Sequence, residues 1–226
     1  MCASTGKLCA AAHSSLASST TAAPSESGVE LPAVIVAPSP SPKTGLRPAS
    51  FSTLEPVFGE GEDATMTAGN STPLSDGAAV VLLSSDEWAA EHSLPVLAHI
   101  THVQTAAVDY VNGGEGLLMA PVHAVPKLLE KAGLTLQDFD FYEIHEAFAS
   151  QVLATLAAWE KNGLGTIDRA KLNVNGSSLA AGHPFAATGG RIVATLAKLL
   201  AEKGSGRGLI SICAAGGQGV VAVMEK

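Results

Sequence analysis

The 226-residue sequence predicts a layered α/β fold that follows a low-complexity leader. Apolar stretches of strand length alternate with longer helical patterns from about residue 45 onward, which is typical of layered α/β domains. Residues 1–43 are rich in Ala, Ser, Thr and Pro, and Pro38-Ser-Pro-Ser-Pro42 lies at the centre of a linker-like stretch. We expect this leader to be disordered. Hydrophobic and charged contents of 46% and 15% suit a globular domain.

The predicted helices follow from apolar periodicity and from the residues that begin and end them. They cover residues 86–92, 122–132, 147–159 and 185–203. Ser85 or Asp86 can cap the first helix, because a short polar side chain accepts a hydrogen bond from the first turn. Gly133 and Gly204 end two others, because glycine readily adopts the left-handed conformation of a C-cap.

The predicted strands are short apolar runs between these helices. They cover residues 95–104, 139–144, 209–213 and 220–225, with an extended stretch at 172–175. An apolar patch at 54–58 precedes them, and residues 76–83 fit a buried strand or the start of a tightly packed helix.

Charge and cysteine content exclude several classes of protein. The net charge is −8 with no basic block, so nucleic-acid binding is not expected. The three cysteines have no pairing or metal-ligand spacing, which predicts no disulfide framework and no metal site, and favours an intracellular, most simply cytoplasmic, location. No apolar run reaches the ~18 residues of a membrane span. Residues 1–30 are Ser-rich and lack acids before Glu26, which is compatible with organelle targeting, but they also lack arginine.

A histidine between glycine and proline stands at the start of the longest predicted helix. The segment reads Asn175-Gly-Ser-Ser-Leu-Ala-Ala-Gly-His183-Pro-Phe-Ala-Ala-Thr-Gly-Gly-Arg191. The positive end of a helix dipole favours neutral imidazole, which can accept a proton from a nucleophile or a thiol. His183 is therefore a candidate general base. The alternative is a glycine-rich turn in which His183 only caps the helix.

A cysteine joins two apolar runs near the C-terminal end of the sequence, in Leu209-Ile-Ser-Ile-Cys213-Ala-Ala-Gly-Gly-Gln-Gly219. A strand, a glycine turn and a second strand would expose one thiol beside backbone N–H groups that can bind a developing oxyanion. The alternative is a buried cysteine that only fills the core.

A third polar cluster ends a predicted strand, in Phe141-Tyr-Glu-Ile-His145-Glu146-Ala-Phe148. Open α/β sheets bind ligands at the carboxyl ends of their strands, so His145 is a candidate site residue. The alternative is a strand-end histidine whose hydrogen bonds go to Glu146 or to the backbone.

Together these segments resemble the thiolases, the CoA-dependent acyltransferases. The motifs are His145-Glu-Ala-Phe148, Gly182-His-Pro184, Cys213-Ala-Ala-Gly-Gly-Gln-Gly219 and Thr65-Met-Thr-Ala-Gly-Asn70-Ser-Thr-Pro-Leu-Ser-Asp76-Gly-Ala-Ala79. In the last of these, Thr72 stands where the family has serine. The histidine and Cys-Ala-Ala forms are more similar to the β-oxidation branch. The resemblance covers residues 44–226.

The resemblance implies a mixed five-stranded sheet between helices, with a C-terminal thiolase domain at 94–226 and the end of an N-terminal half at 44–93. It implies that His183 activates the acyl-accepting cysteine and places an N–H on the thioester oxygen, and that Cys213 is the acid and base. A thiol suits that role because its usual pKa of about 8.5 lies close to working pH and can be tuned by neighbours. His145 would hold one oxyanion donor and the Ala215 backbone N–H a second. The implied substrate-binding residues are Phe148, Thr72, Ala68, Gly69 and Leu117, with Asp76 as a loop anchor and Arg47 near the nucleotide end.

The implied substrates are coenzyme A and acyl-CoA, with no bound cofactor. In the family the acyl-accepting cysteine lies in the first half of the subunit, and neither Cys2 nor Cys9 follows a strand pattern. We therefore expect a truncated acyltransferase that forms homo- or hetero-oligomers with thiolase subunits. Two alternatives stay open: a non-catalytic domain that binds acyl-CoA or associates with subunits, and a thioester hydrolase that uses Cys213 and His183.

Overall fold

The computed structural model describes residues 8–11, 54–61 and 64–226. Six strands of this described part form one mixed sheet in the order β4-β1-β5-β8-β7-β6. Their bounds are β1 Leu8–Ala11, β4 Leu83–Ser84, β5 Val96–Ala107, β6 Phe141–Ile144, β7 Arg207–Ala214 and β8 Gln218–Glu225. Strands β6 and β7 are parallel, and every other neighbouring pair is antiparallel. A separate two-stranded ribbon joins β2 Pro56–Phe58 to β3 Met66–Thr67.

Helices cover both faces of the sheet. Their bounds are α1 Asp86–Glu91, α2 Pro121–Ala132, α3 Ala149–Lys161, α4 Ser178–Ala181 and α5 Phe185–Lys203. Single 3₁₀ turns lie at Ala68–Asn70 and Arg169–Lys171. Among the described residues, no helix is long and apolar enough to cross a membrane.

Alternating side chains of β7 separate two hydrophobic cores. Leu209 packs with α2 and α3, whereas Ile210 packs with α5 on the opposite face. This alternation follows from the two-residue repeat of a strand. The α/β fold class is therefore confirmed, with helices on both sides of the sheet.

The helix ends agree with the sequence signals. The Ser85 side chain accepts a hydrogen bond from the Trp88 backbone N–H and caps α1. Gly133 and Gly204 adopt the left-handed conformation, with φ of 66° and 83°, at the ends of α2 and α5.

Two parts of the fold differ from the sequence prediction. The leader was expected to be disordered, but Leu8–Ala11 pairs with both β4 and β5, which gives six strands instead of five. The twelve-residue β5 offers a long row of backbone donors and acceptors, and such an edge can pair with a strand of little side-chain pattern. The rest of residues 1–43, including Cys2, lies outside the described residues, as does Arg47.

Residues 76–83 were expected to form a buried strand or a helix start. Only Leu83 joins a strand, and Asp76–Ala78 are exposed. The segment runs instead along the start of α5, where a Cβ at Gly77 would collide with the Pro184 ring.

The parallel pair β6–β7 positions the predicted site. Ile144 lies opposite Ser211, so the carboxyl ends of both strands reach the same edge of the sheet. His145 follows β6 directly, and Cys213 lies near the end of β7. The short loop from Gly182 to Pro184 then brings the start of α5 to this edge.

Candidate active site

A cavity of about 490 Å³ opens at this edge of the sheet. Its size is within the range of small-molecule sites. The lining residues are Thr72, Leu74, Leu117, Leu118, His145, Ala147, Phe148, His183, Phe185, Thr188, Gly189, Ile212, Cys213, Ala214 and Ala215. The three polar segments found in the sequence therefore share one cavity.

Residues 72–74, just after the 3₁₀ turn, connect the His145 segment to the His183 segment. Thr72 donates its backbone N–H to Ala147 O (3.0 Å) and its hydroxyl to Glu146 O (2.5 Å). Two residues later, Leu74 forms a bridge with His183, whose N–H donates to Pro73 O at 2.9 Å. These bonds hold the His145 loop and the His183 loop side by side.

Glu146 clamps the loop that precedes α4. Its Oε1 accepts from Asn173 Nδ2 at 2.7 Å, and its Oε2 accepts from the Leu179 backbone N–H at 3.1 Å. Asn173 also exchanges hydrogen bonds with the backbone of Ile144, although its own φ is +47°. Glu146 is thus a structural carboxylate that aligns the strand end with α4.

His145 is buried, and its Nδ1 lies 2.9 Å from Ser178 Oγ. Its hydrogen-bond partner is therefore Ser178, and not Glu146 or the backbone as the alternative interpretation of the sequence held. Burial is the main cause that lowers the pKa of His145 to about 4, and the positive charges of His183 and Arg191 lower it further. The ring is neutral at physiological pH.

The His183 ring is tilted against that of His145, with ring centroids 4.5 Å apart. Its Nδ1 lies 2.6 Å from Thr188 Oγ1, and Thr188 donates its hydroxyl proton to Pro184 O at 3.2 Å. Because that proton is used, Thr188 Oγ1 accepts from His183 Nδ1–H, which leaves Nε2 with a free lone pair. Burial and then Arg191 lower the pKa of His183, which is the direction predicted from the helix dipole.

Cys213 is buried at the end of β7, before a tight turn to β8. Gly216 and Gly217 have φ of 89° and 72°, a backbone conformation that residues other than glycine rarely adopt. Burial raises the pKa of the Cys213 thiol to about 11. Burial has this effect because the thiolate would lose its solvation here.

A buried carboxyl group lies on β6, near the partly buried Arg191. Glu143 on β6 is fully buried, and neither of its carboxyl oxygens has a hydrogen-bond partner within the described residues. Burial raises its pKa to about 8, although the nearby charge of Arg191 opposes the rise. Glu143 is therefore mostly protonated at neutral pH.

The structure brings together most of the residues that the sequence singled out. The cavity is lined by His145, His183, Cys213, Ala215, Phe148, Thr72 and Leu117. The cavity lining does not include Ala68 or Gly69, which were expected to contact substrate. They form a 3₁₀ turn in which Thr67 and Asn70 cap each other's backbone, and their contact with substrate stays a prediction.

Sequence reasoning missed the polar residues that hold the two histidines. These are Ser178, Thr188 and Arg191. All three lie inside the Asn175–Arg191 segment, so the signal was present. The spacing from His183 to Thr188 spans the first turn of α5 and brings the hydroxyl back to the ring.

Comparison with known proteins gives a consistent result. The family described as "Thiolase, C-terminal domain" matches residues 94–226. The chain is 44% identical over 188 residues to the 3-ketoacyl-CoA thiolase of Aeromonas salmonicida, covering 78% of this chain and 42% of that relative.

Solved structures agree with the sequence match. The dimeric peroxisomal thiolase of Saccharomyces cerevisiae has a TM-score of 0.70 and 38% identity, covering 83% of this chain and 44% of that one. The acetyl-CoA acetyltransferase of Bacillus anthracis has a TM-score of 0.67 and 41% identity, covering 78% and 42%. The chain thus spans less than half the length of these relatives.

Proposed function

Because the chain belongs to the thiolase family, we propose that its cavity binds the thioester end of 3-ketoacyl-CoA and supplies the acid–base groups of thiolysis. One observation carries the proposal: His145, His183 and Cys213 come from distant segments and line one cavity of ligand size. The name of the Aeromonas salmonicida relative, a 3-ketoacyl-CoA thiolase, supports this substrate class.

In the proposed reaction, His183 accepts a proton from the attacking cysteine thiol. Its Nε2 carries the free lone pair, and its lowered pKa keeps the ring neutral before the transfer. The cysteine sulfur then attacks the keto carbon of the substrate, and the bond between that carbon and the α-carbon breaks. This covalent step divides one difficult acyl transfer into two easier ones.

Cys213 is proposed as the acid that protonates the departing α-carbanion. A thiol with a pKa of about 11 is fully protonated at neutral pH and can donate its proton to this stronger base. The Cys213 thiolate would then recover its proton from the incoming CoA thiol, which attacks the acyl-enzyme. This attack breaks the bond between the acyl carbon and the cysteine sulfur, and the released thiolate takes back the proton held by His183.

The attacking cysteine is proposed to come from a thiolase N-terminal half, so that the working form is an oligomer with thiolase subunits. The yeast relative is described as dimeric, which supports association. Exposed apolar side chains at the cavity mouth, Leu74 and Phe185, offer a surface for such a half.

Thiolysis tests the proposal. The full chain is incubated with CoA and either acetoacetyl-CoA or a longer 3-ketoacyl-CoA, alone and with the preceding segment of the Aeromonas salmonicida thiolase. His183→Ala is compared with His92→Ala, because His92 is exposed at the end of α1 and its ring bonds to Trp88 O of the same helix. We expect turnover in the completed mixture, with a loss of about 100-fold or more in His183→Ala alone.

Equal turnover in the parent and His183→Ala would contradict the proposal. So would an inactive mixture under conditions where the intact relative is active. Thioester binding without turnover would favour the non-catalytic alternative, and CoA-independent hydrolysis lost on Cys213 alkylation would favour the hydrolase.

A further inference from the structure

Ser178 lies between a histidine of the cavity and the partly buried Arg191. Its Oγ is 2.9 Å from His145 Nδ1 and 2.9 Å from Arg191 Nη2. Ser178 is fully buried, so water does not compete for its hydroxyl. Within the described part of the chain these are the two partners of that hydroxyl.

The Ser178 hydroxyl has one proton, and the direction in which it is donated determines which nitrogen of His145 is protonated. A guanidinium can only donate, so Ser178 Oγ accepts from Arg191 Nη2–H. The single Ser178 proton then has one acceptor available, the lone pair on His145 Nδ1. The neutral imidazole must therefore carry its own proton on Nε2.

We infer that Ser178 and Arg191 are positioning residues that hold His145 in the Nε2–H tautomer, so that it donates a hydrogen bond into the cavity. The inference rests on the proposed function for its role: the donor would face the oxygen on which negative charge develops. His145 lines the cavity, and Nε2 is its remaining ring nitrogen.

A histidine needs this support more than an amide would. The amide nitrogen of an asparagine at this position would always be a donor. A neutral histidine can place its proton on either nitrogen, and in the wrong tautomer it would present a lone pair to the oxyanion. The Arg191–Ser178 pair removes this choice, whereas Thr188 imposes the opposite tautomer on His183.

Nitrogen-15 NMR of the imidazole rings tests the inference on the full chain without substrate. The two ring nitrogens have distinct signals when protonated and when not, and long-range proton couplings identify each nitrogen. His145 is assigned among the seven histidines by the signal lost in His145→Asn. Ser178→Ala is compared with Ser211→Ala, because Ser211 is equally buried but its hydroxyl has no partner in the described residues.

The expected result is an Nε2–H pattern in the parent and in Ser211→Ala, with loss of this single pattern in Ser178→Ala. Arg191→Met is expected to weaken the pattern, and Ser178→Thr to retain it through its hydroxyl. An Nδ1–H pattern in the parent would overturn the inference, even if no variant folds. An unchanged pattern in folded Ser178→Ala would also overturn it.

The spectrum separates this inference from the proposed function. An Nε2–H pattern that depends on Ser178, together with absent thiolysis in the completed mixture, would support the role of Ser178 in fixing the His145 tautomer and would refute the proposed reaction. Normal thiolysis together with an Nδ1–H signal from His145 would refute the tautomer assignment and leave the proposed reaction intact.

Discussion

His145 and His183 face each other at 4.5 Å between ring centroids, and each binds a hydroxyl group through Nδ1. The direction of the proton differs between the two bonds. Ser178 donates to His145, whereas Thr188 accepts from His183. One ring therefore offers a donor and the other an acceptor at Nε2. The hydroxyl partners thus give the two histidines opposite hydrogen-bonding roles at Nε2.

The reactivity of Cys213 is expected to follow its raised pKa. Only the thiolate reacts with iodoacetamide, and a pKa of about 11 leaves little thiolate at neutral pH. We predict that the alkylation rate of folded Cys213 rises about tenfold per pH unit from pH 7 to pH 10, without a plateau. Peptide-resolved mass spectrometry separates Cys213 from the other two cysteines.

The same cysteine in urea-unfolded chain is the control. Its pKa should return to about 8.5, so its rate should level off near pH 9. A plateau near pH 9 in the folded chain would show that burial does not govern this thiol.

Glu143 is expected to make the fold less stable as the pH rises. Its pKa is about 8 in the folded chain and about 4 when unfolded. Between these values the folded state keeps a proton that the unfolded state has released, so raising the pH favours unfolding. The penalty grows by up to about 1.4 kcal/mol per pH unit in this window and is constant above it.

Glu143→Gln removes this titration while keeping the shape of the side chain. Urea unfolding of both proteins at pH 5, 6, 7 and 8, followed by the fluorescence of buried Trp159, gives the comparison. We expect the stability of the variant relative to the parent to increase steadily from pH 5 to pH 8. Parallel curves would contradict the buried, protonated state of Glu143.

Glu146→Ala is expected to destabilise the chain by about 2–4 kcal/mol, because two hydrogen bonds to a charged group are lost. These are the bonds from Asn173 Nδ2 and from the Leu179 backbone N–H. Chemical denaturation gives the free energy of unfolding. Glu91→Ala, at an exposed position in α1, is the matched control and should change stability by less than about 0.5 kcal/mol. A similar loss of stability in both variants would contradict the structural role assigned to Glu146.

Sequence patterns predicted the main elements because their signals are local. Helix α5 begins at Phe185 and ends at Lys203 as predicted, since a proline precedes it and Gly204 follows. The strand β1 could not be predicted in this way, because its partners β4 and β5 lie far from it in the sequence. Residues 76–83 were misassigned since an apolar run fits a buried strand or an ordered loop equally well.

The same difference between local signals and tertiary contacts explains which parts of the candidate site could be predicted. His145, His183 and Cys213 were found because each lies in a recognisable motif, and the resemblance to thiolases is confirmed. Ser178 lies 33 residues from His145, so their hydrogen bond is visible only in the folded chain. The raised pKa of Cys213 could not be predicted for a similar reason, since burial is a tertiary property.

Binding of acetoacetyl-CoA tests most directly whether the cavity is the thioester site. Gly189 lines the cavity on α5, and a Cβ added there would meet no atom within 4 Å. Gly189→Leu would fill the cavity without disturbing the helix, whereas Gly189→Ala adds one methyl group and serves as the control. Both replacements should favour the helix by about 0.5–1 kcal/mol, so thermal melting verifies that each variant is folded.

Calorimetric titration of the full chain gives the affinity. We predict that Gly189→Leu weakens acetoacetyl-CoA binding by at least about tenfold, a loss of about 1.4 kcal/mol, while Gly189→Ala binds like the parent. Equal affinity of the parent and a folded Gly189→Leu variant would mean that the ligand binds elsewhere and that this cavity is not the thioester site.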